Sequence, residues 1–210
     1  PRVPPTMKRL LPALPLLLLL AACLPFAPTR SPSEIYRPEL SVQMEESLPR
    51  VTWQLVVSRP IAGQLMDSTR ILVRPRPGQL QVYSGAIWSD SAPSLVQASI
   101  VTAFEDSGHI LAVGRPGGGL RADYTLGLEL RAFESVNRTP GQPPEIVVEL
   151  HAKLLQSNSN QVLGARTFRA TRASPSTNVA DVAASFGPPL SEVTSELVAW
   201  TLRVGEANAQ

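Results

Sequence analysis

The 210-residue chain has one cysteine, Cys23, and two histidines, His109 and His151. A single thiol excludes a disulfide framework, and two isolated imidazoles give no basis for an all-protein zinc site. No metal or other cofactor is therefore expected. No Gly-x-Ser-x-Gly, His-Glu-x-x-His or Cys-x-x-Cys occurs, so hydrolase, zincin and dithiol-redox chemistries lack motif support and no enzymatic activity is expected. Beyond residue 22, no apolar run approaches the roughly 20 residues that a spanning helix needs. Residues 1–22 contain no acid, only Arg2, Lys8 and Arg9. Setting those three aside from 19 basic residues leaves 16 against 17 acidic ones, so the formal charge of +2 comes from the N-terminus. The rest is nearly neutral and carries no electrostatic footprint for nucleic acid.

Proline, by contrast, is plentiful. There are 21 in the chain, while hydrophobic residues make up 43%. That is too apolar for a fully disordered polymer, which assigns the prolines to turns and linkers around one folded body. Met7-Lys8-Arg9 opens a basic segment, and Leu10 to Ala22 is apolar throughout apart from Pro12 and Pro15. This is the charge-then-apolar order of an export signal, too short to span comfortably. Residues 1–6 are read as lying upstream of the true start at Met7.

The signal ends in Leu20-Ala21-Ala22-Cys23, which resembles the bacterial lipobox. Small Ala21 and Ala22 let a peptidase reach the backbone, and the Cys23 thiol is the best nucleophile available to take up a lipid. The alternative is an ordinary secretory signal with an incidental cysteine. Several acyl chains, at about 0.8 kcal/mol per buried CH₂, would anchor the protein firmly. By the same resemblance, Leu24 in place of an aspartate favours sorting to the outer membrane.

Residues 24–50 hold Pro25, Pro28, Pro32, Pro38 and Pro49 among several glutamates, and together with Cys23 read as a lipidated, semi-extended tether, 23–50. The folded body is expected at 51–204, with 205–210 a disordered tail. Val51, Trp53, Leu55 and Val57 alternate along a first strand, followed by Ile71–Val73 and Leu80–Tyr83. Asp90-Ser91-Ala92-Pro93 starts a helix with the stripe Val96, Ile100, Ala103 and Phe104. Tyr124, Leu126, Leu128, Leu130 and Ala132 alternate with a second set that includes Glu129, Arg131 and Phe133. Ile146–Leu155 and Val162–Thr171 repeat the alternation, predicting an antiparallel meander with one dry and one wet face. Asn178–Arg203 reads as helix, kinked sharply or split at Gly187-Pro188-Pro189. The expected fold is a two-layer α+β domain, a mainly antiparallel mixed sheet with two helices packed on one face.

The lipobox, the order of elements and the stretches Ile71-Leu72-Val73-Arg74, Val82-Tyr83, Ile87-Trp88-Ser89-Asp90, Ala122–Leu126 through Phe133-Glu134, Arg166-Thr167-Phe168 and Trp200 resemble one family. It is that of the auxiliary lipoproteins of ABC-type transport systems, including the lipoprotein of the paraquat-inducible system. The resemblance implies a non-enzymatic, outer-membrane-anchored protein facing the periplasm. Its partner would be an MCE-domain (mammalian cell entry) protein of a permease/ATPase system that moves phospholipid; self-association into a homo-oligomer stays open. A different function, a lipoprotein that itself binds a lipid or other apolar ligand between sheet and helices, stays open. The sequence departs from the family at Gly187-Pro188-Pro189, inside a helix that is usually continuous.

Individual features carry little chemistry. The loop Gly114–Gly119 lacks the Gly-Lys-Ser/Thr ending of a phosphate cradle and reads as a turn. Glu129, Glu149, Arg131 and Lys153 read as cross-strand charge pairing, and His151 as a solvated residue. Tyr83 and Trp88 flank a hairpin-to-helix joint. They are candidate docking anchors, since aromatics are enriched at interface centres, or else packing residues of the joint.

Overall fold

The computed structural model describes residues 33–209; the expected signal segment, with Leu20, Ala21, Ala22 and Cys23, lies outside them. The first element is the short strand Glu34–Tyr36 (β1). In Val51–Val57 (β2), Val51, Trp53, Leu55 and Val57 are buried and Thr52 is exposed, as alternation over a core requires. Arg70–Arg76 (β3) and Gln79–Trp88 (β4) form a hairpin, followed by the helix Ala92–Ser107 (α1). Next come Ile110–Gly114 (β5) and three long strands, Tyr124–Val136 (β6), Glu145–Gln156 (β7) and Val162–Ala173 (β8). Two helices, Val179–Ala184 (α2) and Gly187–Ala207 (α3), close the chain.

Strand β6 organises the eight-stranded sheet. One edge of β6 pairs antiparallel with β7 along its length, and β7 pairs antiparallel with β8. The other edge is shared end to end. Tyr124–Leu126 takes β2 and Glu134–Val136 takes β3, both parallel, with Ile61 bridging to Glu129 between them. From β2 the sheet runs on to β5, and from β3 through β4 to β1. Helix α1 packs over β2 and β5, α3 over β7 and β8, and the two helices touch. The result is the expected two-layer α+β fold, with a mixed sheet and two long helices on one face.

The core contains a correction to the strand reading. Phe133 faces the helices, 1% exposed, and does not join Arg131 on the wet side. Between the pairs Leu130↔Leu150 and Ala132↔Glu149 the register slips by one residue, leaving Arg131 extra. Such a bulge reverses the alternation beyond it. Phe133 then meets Trp88 at 5.6 Å and Phe186 at 4.8 Å, and Trp88 stands edge-on to Phe186 at 4.9 Å. Burying a tryptophan removes roughly 150–250 Å² from water, about 4–6 kcal/mol of transfer free energy. That outweighs the cost of about 1–3 kcal/mol for the Trp88 indole N–H, which has no acceptor among the described residues.

Phe186 reaches this cluster because the C-terminal helix is split. Helix α2 ends at Ala184, capped by Ser185, and Pro188 and Pro189 occupy the first turn of α3, where a missing N–H costs nothing. At the start of α1, the Ser91 side chain makes no capping bond. Its hydroxyl accepts from the Arg59 guanidinium at 2.8 Å and pairs with the Ser94 hydroxyl at 2.9 Å.

Residues 33–50 do not form a free tether. β1 runs parallel to the end of β4, Pro38 and Leu48 are buried, and the chain between them lies along α3 as a strap. The Ser41 N–H donates to Ser191 Oγ at 3.0 Å, the Ser195 hydroxyl donates to the Gln43 carbonyl at 2.6 Å, and Arg203 donates to Glu45 at 2.7 Å. Proline-rich sequence lacks amide donors for regular structure but can still dock on a polar helix edge. The expected tail at 205–210 is likewise corrected, because α3 continues to Ala207 and buries Gly205 against the Trp53 ring.

Gly187 sits so close to the Glu39 carbonyl that any Cβ would collide with strap backbone. Gly187→Ala is therefore expected to lift the strap and destabilise the domain by about 1–3 kcal/mol. A lowered Tm together with faster amide exchange in residues 39–43 is the expected pair of readings. Parental exchange there would show that the strap does not depend on this contact.

Candidate functional site

Of the two aromatic candidates, Trp88 is enclosed in the core and Tyr83 is partly buried at its margin. Trp88 is 1% exposed within the aromatic cluster, so it cannot serve as a docking anchor. Tyr83 is partly buried and shares a hydrogen bond of 3.0 Å with the Ser135 hydroxyl, and burial holds its phenol above the usual tyrosine range. The end of the joint at Trp88 is core because β4 continues to Trp88, with three residues between it and α1.

The wet face of β6, β7 and β8 holds a lattice of ion pairs. Arg131 reaches Glu129 at 3.0 Å, Arg169 reaches Glu149 at 2.5 Å across β7–β8, and Arg138 binds Glu145. Arg74 on β3 reaches Glu134 on β6 at 2.5 Å. His151 shares a hydrogen bond of 2.9 Å with Thr167. Of the expected cross-strand group, Glu149 does pair across strands, with Arg169, whereas Glu129 and Arg131 pair along β6. Lys153 lies opposite Gly127 and Ala165, while Arg74, Arg138 and Arg169 were missed. For Arg169 a signal was present: it stands between the buried Phe168 and Ala170, so strand alternation turns it away from the core toward Glu149.

Glu134 is the chemically distinctive member. Its side chain is 4% exposed although none of the described helices covers this face. It sits in one row with Leu72 and Val147, 1% and 3% exposed, roofed by long arginine stems. Desolvation raises its carboxyl pKa above the ordinary range, opposed by the positive charges of Arg74 and Arg169. A group that holds its proton more tightly when folded contributes stability below its unfolded pKa. That contribution is lost as pH rises through the folded value.

On the opposite side, a groove of about 580 Å³ separates the strap from the exposed side of α1, lined by Leu40, Val42, Met44, Thr102, Asp106 and His109 among others. Between sheet and helices the space is filled: Trp88, Phe104, Phe133, Phe168 and Phe186 are all at most 1% exposed. None of the described helices is long and apolar enough to cross a membrane.

An α+β layer carrying a docked N-terminal strap and a charged outer sheet face defines the architecture. The model of the ABC-type transport auxiliary lipoprotein component matches residues 37–198, and the chain belongs to this family. The matched stretch begins inside the strap, so the strap is part of the family's domain. The crystal structure of protein XCC0632 from Xanthomonas campestris is 45% identical, covers 84% of this chain and 98% of its own, and superposes with a TM-score of 0.79. Protein bll6063 of Bradyrhizobium diazoefficiens is 26% identical over 148 residues, which are 70% of this chain and 39% of that protein. The chain thus spans about two-fifths of that curated relative's length. Protein CT253 from Chlamydia trachomatis shares the fold at 12% identity, over 74% of this chain and 99% of its own, with a TM-score of 0.50. The family is defined by a transport role rather than by a catalysed reaction.

Removing Arg74 would strand the Glu134 carboxylate. Arg74→Met is expected to cost about 2 kcal/mol at pH 8, below the 3–5 kcal/mol of fully buried pairs because Arg74 is 43% exposed. Part of the loss should return on acidification, as Glu134 takes up its proton. Denaturant midpoints at pH 8 and pH 5 measure this; an equal loss at both would assign the effect to packing.

Proposed function

We propose that the protein is a non-enzymatic adaptor of an envelope ABC transport system of the MCE type, anchored by acyl chains on Cys23 to the periplasmic face of the outer membrane. The family match over residues 37–198 carries this reading, together with the lipobox Leu20-Ala21-Ala22-Cys23 and with Leu24 after it. The mechanism is positional. With residues 33–50 docked on the domain, only residues 24–32 separate the lipidated cysteine from the fold, a reach of at most about 30 Å. The domain is held near the membrane, which raises its effective concentration toward a periplasm-spanning MCE-domain partner. The wet sheet face, or the helix edge beside it, supplies the surface for that partner or for self-association.

A carrier that itself binds lipid between sheet and helices is the weaker reading, because large side chains fill that layer and leave no room for an acyl chain. Pull-down of the lipidated protein from envelope extracts is expected to recover an MCE-domain protein, and labelled palmitate should enter the parent but not Cys23→Ser. Repeated failure to recover such a partner, with normal lipid asymmetry in a deletion strain, would defeat the adaptor reading. Equal labelling of both forms would defeat the anchor.

A further inference from the structure

The outer sheet face around Glu134 forms a basin of about 280 Å³ lined by Arg74, Arg131, Arg138 and Arg169 with Glu134 and Glu149. Four guanidiniums from four different segments converge there: β3, β6, the β6–β7 turn and β8. Each guanidinium carries five N–H donors, and few of these are used. Arg169 donates to one oxygen of Glu149, Arg131 to one oxygen of Glu129 and to the Thr167 hydroxyl at 3.4 Å, and Arg138 through Nε and an Nη to one oxygen of Glu145. The Arg74 Nε–H is buried with no acceptor among the described residues. Outside Arg138, the two-pronged face with which arginine grips an oxyanion keeps free donors around one small cavity.

The acids do not fill it. Glu134 is fixed in the floor, and the other two carboxylates, Glu129 and Glu145, sit outside the lining, with Glu129 51% exposed and able to turn into water. Counting the lining alone, four cations face two anions. Including the outer pair brings the charges into balance, so recognition would be short-ranged and set by donor geometry rather than by a long positive field. The volume admits one headgroup-sized anion and is too small for the several side chains of a docked acidic helix.

We propose that this basin binds a phosphate or phosphodiester group, clamped by Arg74, Arg131, Arg138 and Arg169 over the apolar floor of Ala132, Val136 and Val147. The proposal stands apart from the identity of the permease and from the adaptor's protein partner. Whether the group belongs to free phosphate or to a phospholipid head is a matter of source, since the same donors recognise both.

The test is calorimetric titration of the full-length lipoprotein in dodecylmaltoside micelles, with inorganic phosphate and with the water-soluble diester glycerophosphoglycerol, each against chloride of matched ionic strength. Either probe should bind at one site, and Arg169→Gln or Arg131→Gln should weaken it about tenfold, the loss of one charge-assisted hydrogen bond. Arg203→Gln, on α3 beside the strap, should leave binding unchanged. Equal affinity for both probes assigns free phosphate, and a diester that binds tenfold more tightly assigns a lipid head. Melting curves show that each variant is folded; the two glutamines lie at independent positions, so misfolding of one leaves the other to decide. The proposal is overturned if neither probe binds beyond chloride, if folded variants bind like the parent, or if a polyglutamate peptide binds where both probes fail.

Discussion

One irregularity in one strand sets much of the molecule. β6 is the strand on which three branches of the sheet converge, and the extra residue at Arg131 divides it into two phases. Before the bulge, Tyr124, Leu126, Leu128 and Leu130 point at the helices. After it, Phe133 and Ser135 do, and Ala132 and Glu134 turn outward. A strand of uniform alternation would have sent Phe133 into water and Glu134 into the helix-facing core. There an unpaired carboxylate would have cost several kcal/mol. The bulge instead gives Trp88 and Phe186 their aromatic partner and puts the carboxylate within reach of Arg74.

That same reversal marks how far the sequence could be read. Elements whose pattern stays in one phase were legible: β2, β7, α1 and the apolar stripe of α3 all follow their expected alternation or helical period. Only the hydrophobic pattern was available, and a bulge adds a residue without changing composition, so the switch at Arg131 left no trace in it. The parallel pairings of β2, β3 and β5 were equally silent, because strand order depends on contacts far apart in sequence. Gly187-Pro188-Pro189 was legible as a break. Its purpose, seating Phe186 in the core, was not.

The strap shows a second limit. Residues 33–50 look like linker because their prolines suppress regular hydrogen bonding, and a linker was the cheaper inference. What holds them is partly polar and external: Ser191 and Ser195, one turn apart on α3, meet strap backbone groups. Serines on a helix surface normally signal solvent. Their four-residue spacing acquires meaning only once the proline segment is seen beside them, and a close approach at Gly187 fixes where it must lie.

Taken together, these features bear on what kind of work the domain can do. A carrier of apolar cargo needs empty volume between its layers, and here five aromatic side chains occupy the layer that would provide it. Stability has been concentrated where a ligand pocket would otherwise weaken it. The distinctive chemistry lies outside, on a sheet face whose arginines cover an apolar floor and remain under-used as donors. A dense interior, a docked N-terminal strap and a patterned outer face put the domain's free polar groups on its surface and its packing between the layers.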